Sequence, residues 1–522
     1  MTASEIGAGI AHWLRANQQA DGRIRDPLHG DTGTYAAGLA ALAFGLMALH
    51  TGDEDWMNAC RTSTRAALGR PHISEFDTFG LLMLAARVQE AYPDLTRQIL
   101  VQRKPFHGRR LVSNNWVAMR AASTSIYAQL TGDADQATKA SVLWRRVLTW
   151  QREDGLFNDA SAGQAAPVTY HAKFCAMLAL ECMARPDPDL QSALHKALDA
   201  LCPLISPSGT LVPYGRSRNT LFGHAAAAYA FAVGSGLFHN GDFALAASRI
   251  LARIAAWQQE DGHAPAVFNE NEAGKLDWDV YINNPDYNAY AAALLLMIPN
   301  GTFGTPETPG ISNEEILVRQ IGPIITILDG PTFAAFVGSG ECAPYGTPFF
   351  CDHRYYALQP LWVEREGRVM LQPVPYAWRG GEGRSALVDP TANEWIPYVE
   401  AGGWRYAVRT CSRVEIHVSK SAVVMEGHGP LTALISVPRW RRALGAVGHA
   451  LFGRHYAVFS TRKLPGVQLR KKLCWDRFSG SVSLTTSLEG KLPAGACVKQ
   501  NQRSGSSPAG SCGPASADHG KG

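Results

Sequence analysis

Tyr170 and His171 stand side by side in VTYHAKF, where Pro167 and Thr169 suit the opening of a helix. A phenol beside an imidazole offers a proton donor and a proton acceptor at one helix mouth. Asn114 and Asn115 occur in SNNW, ahead of an apolar run. An asparagine there either caps the helix or turns its amide toward an anion. Trp116, next in the chain, is either a stacking face for a sugar ring or a core residue. Arg216 and Arg218 alternate in YGRSRN, so an extended backbone points them to opposite sides. Each guanidinium either clamps an acid group bidentately or makes a surface ion pair. Tyr214 opens that segment, and His224 follows at the start of the next apolar run.

Two more segments carry polar and aromatic clusters. DWDVYINNPDYNAY crowds Trp278, Tyr281, Asn283, Asn284, Tyr287, Asn288 and Tyr290 into a loop leading to a helix. Aromatic faces mixed with amides suit a sugar, the faces taking C–H groups and the amides taking hydroxyls; packing between helices is the alternative. CDHRYY places Asp352, His353, Arg354 and Tyr355 ahead of a strand. These residues either reach across to the helical part or hold two domains together. Asp352 and His353 lack a visible third ligand, so no metal site is expected and a divalent cation is unsupported.

The elements that position these residues fall into two regimes. Up to about residue 300, runs such as TYAAGLAALAFGLMALH and YHAKFCAMLALECMA are too long for strands and carry i, i+3, i+4 apolar spacing. One punctuation recurs among them. Trp13 precedes QQADG (18–22), Trp150 precedes QREDG (151–155) and Trp257 precedes QQEDG (258–262), with a related SPSG at 206–209. The glycine supplies positive φ where a helix ends. Repeated helix-turn-helix units stack into a closed toroid or a solenoid. Residues 1–300 are therefore read as helix pairs around a central cleft, and the Gly/Pro/Thr-rich stretch 301–313 as a linker. Over 314–500, β-branched runs separated by Gly, Pro and Asp predict an antiparallel β-sandwich. Residues 439–455 interrupt it as a helix or a long loop. Residues 501–522 have no periodicity and read as a disordered tail. The fold class expected is α+β multidomain, an (α/α) toroid of helical hairpins followed by the sandwich.

Composition narrows the function classes. A chain of 522 residues suggests two domains, and 46% hydrophobic against 18% charged residues excludes global disorder. A formal charge of +4 is near neutral for this size, which argues against nucleic acid as the main partner. No stretch approaches the ~20 apolar residues of a membrane span. The first residues lack a basic region followed by an apolar run, so the expectation is a cytoplasmic protein. A periplasmic or secreted one is the alternative if the start lies elsewhere or export is unconventional. The ten Cys form no Cys-x-x-Cys, and Cys175, Cys182 and Cys202 read as core thiols. Nothing in the sequence sets the oligomeric state.

Taken together, the WQ-x-x-DG turns, the Asn-bearing helix mouth, the Tyr/His pair, the Arg segment and the β-rich C-terminal part resemble the toroid polysaccharide lyases. These are the heparinase II/III-like, chondroitin/hyaluronate and alginate lyases. The resemblance covers residues 1 to about 500 as architecture and the short segments as motifs. It implies an acidic polysaccharide substrate, no required cofactor, and β-elimination that leaves a 4,5-unsaturated uronate. It implies that Asn114 or Asn115 binds the uronate carboxylate, that His171 is base or neutraliser, that Tyr170 is acid/base, and that Arg216 assists. Trp116, Tyr214, Arg218, Trp278, Tyr281, Asn284, Tyr287, Asn288, His353 and Arg354 would contact the substrate. The chain departs from the pattern in two places. Trp116 follows Asn115 where several of these families carry His, and Tyr170 and His171 are adjacent where the families separate them. Tyr214 and Tyr287 therefore stand as rival acid/base residues. The C5 proton of a uronate is weakly acidic, so donors must surround the developing charge. A tyrosine, with an ordinary pKa of about 10, needs a nearby cation to act as a base. The rivals are a glycoside hydrolase on the same toroid, drawing paired carboxylates from Asp77, Asp159, Asp277 and Asp279, and a non-catalytic carbohydrate-binding protein. A terpene cyclase or prenyltransferase subunit would require an acidic motif that is not seen.

Overall fold

The structure is a computed structural model. It describes residues 1–28, 30, 32–70, 74–105, 113–159, 165–268, 283–299, 316–341, 353–373, 394–434 and 463–499. The expected linker at 301–313, the 439–455 segment and the 501–522 tail lie outside these residues, as do Trp278, Tyr281, Asp277, Asp279 and Asp352.

The helical half runs α1 (Ala3–Ala16), α2 (Ala36–Thr51), α3 (Glu54–Leu68), α4 (Glu75–Val88), α5 (Pro93–Gln102), α6 (Asn114–Thr131), α7 (Ala134–Leu148), α8 (Val168–Ala184), α9 (Pro188–Leu201), α10 (Leu221–Phe238), α11 (Gly241–Trp257) and α12 (Asn284–Leu296). Even and odd helices differ in kind. In α2 every residue from Ala36 to Ala48 is buried, and in α10 every residue from Leu221 to Ser235. By contrast, α9 buries Leu190, Ala193, Leu194, Ala197, Leu198 and Leu201, the single stripe of an amphipathic helix. The packing follows from this. The even helices form a closed ring, α2 on α4, α4 on α6, α6 on α8, α8 on α10, α10 on α12, and α12 back on α2. Each is backed by an odd helix: α3 on α2, α5 on α4, α7 on α6, α9 on α8, α11 on α10 and α1 on α12. The helical half is thus an (α/α) toroid. Among the described residues, the one helix long and apolar enough to cross a membrane is α10, a member of the buried inner ring.

The recurring turns are clasps between hairpins. Gln18 donates to Ala59 O on α3, Gln151 to Ala193 O on α9, and Gln258 to Ile6 O on α1. Each Asp accepts from the amide two residues on: Asp21 from Arg23, Asp154 from Leu156 and Asp261 from His263. Gly155 has φ +89 and Gly262 φ +94, and a Cβ there would lie 2.6 Å from Lys196 O and 2.3 Å from Gly9 O. Only glycine fits both the backbone angle and the contact. The last clasp, Gln258 and Gly262 against α1, closes the ring.

The C-terminal half is two antiparallel sheets. The first comprises β1 (Ile316–Ile321), β2 (Ile324–Asp329), β3 (Thr332–Val337), β4 (Gln359–Arg365) and β5 (Arg368–Leu371), paired in sequence order. The second comprises β6 (Tyr398–Ala401), β7 (Trp404–Val408), β8 (Val414–Val418), β9 (Ala422–Ala433), β10 (Lys463–Asp476), β11 (Val482–Glu489) and β12 (Cys497–Lys499). Its order is β11-β10-β9-β7-β6-β12, with β8 also on β9. The first sheet is the middle layer. Phe333, Ala335 and Val337 face the helices, while Ala334 and Phe336 face the second sheet. That is why β3, TFAAFV, is buried at every position.

Candidate active site

The six inner helices start at one face of the ring, and their first turns supply an aromatic wall. Tyr35 precedes α2, Phe76 opens α4, Trp116 α6, Phe222 α10, and Tyr287 and Tyr290 lie on α12. Tyr35 stacks on Phe76 with centroids 4.2 Å apart, and Trp116 meets Phe76 edge-on at 5.9 Å. Phe222 lies 4.3 Å from Tyr290 and 5.4 Å from Tyr287. Six helix N-termini at one opening also concentrate partial positive charge there.

A chain of charged and polar groups crosses this wall. Lys173, on α8, donates to Asn115 Oδ1 at 2.8 Å. Asn115 Nδ2 donates to Ser113 Oγ and Asp159 Oδ1. Asp159 Oδ2 accepts from Arg216 Nε at 3.1 Å and pairs with its Nη2. The guanidinium carbon of Arg216 sits 4.2 Å from the centroid of the Tyr170 ring, and the Tyr170 hydroxyl meets Ser217 Oγ at 2.9 Å. A second pair, Arg120 with Glu75, joins α6 to α4. Lys173 reaches toward α4 and α10: its Nζ is 4.3 Å from the Phe76 centroid and 5.5 Å from that of Phe222. Burial pushes its pKa down to about 7, against the charge of Asp159 and with that of Arg216.

The expected site residues divide sharply. Tyr170, Asn115, Arg216 and Trp116 come together at the mouth, and Tyr287 joins the wall. His171 does not. It is fully buried and faces outward, its Nδ1 accepting from Phe157 N at 3.2 Å and its Nε2 meeting Ala197 O on α9 at 3.0 Å. Burial pushes its pKa down to about 4, so it is a neutral structural ring. The reason is helical spacing: Tyr170 and Lys173 share one face of α8, while His171 and Cys175 share the opposite one. His224 plays the same part on α10, accepting from Leu211 N and meeting Thr220 O. Asn288 plays it on α12, accepting from Ala264 N and donating to Ala264 O. Asn284 accepts from Ala266 N and donates to Asp26. These are joints between the clasp segments and the inner helices; Asn288 is engaged by backbone groups, and Asn284 by the backbone of Ala266 and the Asp26 carboxylate, in place of the substrate contacts expected of them.

Asn114 neither caps nor faces the mouth; its amide donates to Asn158 O and its backbone N–H to Asp159 O, which fixes the Asp159 turn. The helix cap is Ser113. Tyr214 is buried and donates to Glu341 Oε2 at 2.8 Å, with its pKa raised by burial and by that carboxylate. It therefore leaves the list of rival acid/base residues. Arg216 and Arg218 do not lie in an extended segment. Positive φ recurs at Gly215, Ser217 and Asn219, and two such non-glycine residues in one short loop mark a held, strained conformation. Arg218 and Arg354 are buried beside His353. Burial and these two cations push the His353 pKa down to about 3. The β domain does reach the mouth, through Tyr355, whose hydroxyl accepts from Arg216 N at 3.1 Å. Of the hydrolase candidates, Asp77 accepts from Gly38 N and Ser74 Oγ and pairs with Arg70. Asp159 is held as described above.

Sequence reasoning missed Lys173, Phe76 and Phe222, along with Asp159 as an internal counter-ion. The signal for Lys173 was present: one lysine in an apolar helix, three residues after Tyr170.

No protein-family model matches the chain, and no curated protein matches it. Solved structures resemble its fold at low identity. An unsaturated glucuronyl hydrolase from Streptococcus agalactiae is 12% identical over 57% of this chain and 90% of that one, with a TM-score of 0.47. A family 88 glycosyl hydrolase from Bacteroides vulgatus is 12% identical over 57% and 99%, with a TM-score of 0.44. A polysaccharide lyase is 11% identical over 57% and 97%, with a TM-score of 0.42. Likenesses this loose carry no chemistry, which has to come from the side chains at the mouth.

Proposed function

We propose that this protein is a glycan-processing enzyme, and specifically a polysaccharide lyase that cleaves a uronate-containing chain by β-elimination. The observation that carries the reading is Tyr170 at the ring mouth with the Arg216 guanidinium over its ring and Asp159 fixing that guanidinium. A cation held there stabilises the phenolate, which is the form able to take a proton from carbon. In this reading a uronate residue lies against the Trp116, Phe76 and Phe222 wall. The Tyr170 phenolate takes the C5 proton, the C–H electron pair forms the C4–C5 double bond, and the C4–O bond breaks with its pair on the leaving oxygen. The phenol then returns the proton to that oxygen. With His171 and Tyr214 turned to structural partners, Tyr170 serves both steps in this reading, and Tyr287 on the wall is its one remaining named rival. Of the carboxylates a hydrolase would draw on, Asp77 and Asp159 are engaged by internal donors or cations, and Asp277 and Asp279 lie outside the described residues.

The test is absorbance near 235 nm, where unsaturated uronates absorb, over alginate, glucuronan, hyaluronate, chondroitin, heparan and acidic bacterial gums. A rise with one polymer supports elimination and names the substrate. New reducing ends without a rise overturn the reading in favour of a hydrolase.

A further inference from the structure

We propose that Lys173 is the anion-binding group of the mouth, its ammonium the counter-charge for a carboxylate carried by the ligand. This rests on the reading of the mouth as a site for an acidic glycan and names the residue that recognises the acid. The resemblance pointed instead to Asn114 or Asn115, but Asn114 donates to Asn158 O, and the Asn115 amide is consumed: its hydrogens go to Ser113 and Asp159, and its oxygen takes the Lys173 donor.

Charge arithmetic singles out the lysine. Arg216 is matched by Asp159 and Arg120 by Glu75. Lys173 has no ion-pair partner among the described residues, although it is fully buried. An ammonium carries three donors, and Asn115 takes one. Beside the ammonium lie the rings of Phe76 and Phe222, whose faces attract a cation but accept no strong hydrogen bond. An isolated buried charge is costly, and an anionic ligand entering the lumen relieves that cost. The groups around Lys173 are Glu75 and Phe76 from α4, Asn115 from α6, Asp159 from the turn before α8, Arg216 from the strained loop, and Phe222 from α10. None but the lysine changes from a matched to an unmatched charge as the ligand departs.

Binding and protonation are then linked. The amine titrates near neutrality when the lumen is empty, and a carboxylate beside it raises its proton affinity. Anion affinity therefore falls as pH rises through that range, by roughly 30-fold between pH 6 and pH 8.5 for an amine titrating at about 7.

The probe is free D-glucuronate, ionised at both pH values, with D-glucose as the uncharged control. Ligand-induced thermal stabilisation is measured from pH 6 to pH 8.5 on the full chain, its Lys173→Met variant and its Lys173→Arg variant. The expected result is a stabilisation by glucuronate beyond that by glucose at pH 6, fading toward pH 8.5 and absent from Lys173→Met. Lys173→Arg, charged throughout, is expected to keep the stabilisation and lose its pH dependence. Lys173→Met removes a buried charge and is expected to fold, so failure of the arginine variant leaves the test intact. Equal stabilisation of wild type and Lys173→Met overturns the proposal, as does no preference of the wild type for glucuronate at pH 6. The two readings fail separately. A 235 nm rise undiminished in Lys173→Met sinks the lysine assignment and leaves the lyase. Lysine-dependent glucuronate binding with no rise on any polymer sinks the lyase and leaves the anion site.

Discussion

Tyr170 and His171 differ by one position and by everything that matters to their roles. One helical step of about 100° sends the phenol into the lumen and the imidazole back against α9. Adjacent residues on a helix cannot share a site, and the Tyr170–Lys173 spacing can. The consequence is testable. His171→Leu removes the acceptor for Phe157 N and is expected to cost about 1–3 kcal/mol of stability while leaving turnover per folded molecule unchanged. Differential thermal denaturation and specific activity read the two effects apart, and a selective loss of turnover would return His171 to the chemistry. The same residue sets a pH dependence. Its folded pKa, about 4, lies below the ordinary value near 6.5, so the unfolded chain binds the proton first on acidification. The stabilisation is complete above about pH 6.5 and is lost as pH falls toward 4. The gap in melting temperature between wild type and His171→Leu is therefore expected to narrow over that window. A gap independent of pH would mean that the ring binds its proton as readily in the folded chain as in the unfolded one.

At the scale of elements, the repeated Gln–acid–Asp–Gly turn is a mechanical part. Its glutamine grips the next outer helix, its aspartate rounds the turn, and its glycine lets the two backbones touch. Gly155→Ala places a Cβ 2.6 Å from Lys196 O at φ +89. A loss of about 1–3 kcal/mol follows from strain and displacement together. Chemical denaturation measures it, and an unchanged midpoint would show that the clasp yields freely. This level was well legible in the sequence. The helices, the repeat and the change to β-branched runs follow from local periodicity, and so did the toroid with its sandwich. The site was legible only in part. Tyr170, Asn115 and Arg216 drew notice because their types suggest chemistry, and the fold brings them together. The outward turn of His171, Asn284 and Asn288 was hidden because their partners, backbone groups of neighbouring segments, are set by packing. Lys173 was overlooked because a lysine in an apolar helix draws notice only once the rings of α4 and α10 are seen to surround it.

For the whole molecule, the sandwich braces the site. Glu341 holds Arg152 of one clasp, the Tyr214 hydroxyl and Ala166 N, while Glu364 takes Ser206, Ser208 and the Trp362 indole. Tyr355 then fixes the backbone of Arg216. Glu341→Ala leaves the half-buried Arg152 with Asp154 alone and takes the acceptor from the buried Tyr214 hydroxyl, so it is expected to cost about 1–3 kcal/mol and to lower turnover by loosening the Arg216 loop. Limited proteolysis with an activity assay checks this, and full turnover in a destabilised variant would confine Glu341 to domain adhesion. The central claim is that Tyr170, under Arg216, moves the proton of a β-elimination. The most direct measurement is the 235 nm rate on the responding uronate polymer for wild type and Tyr170→Phe, with melting temperatures alongside. The account predicts a strong rise for the wild type and loss of at least 100-fold in Tyr170→Phe, with a melting temperature nearly unchanged. A variant that retains most of the wild-type rate would contradict it.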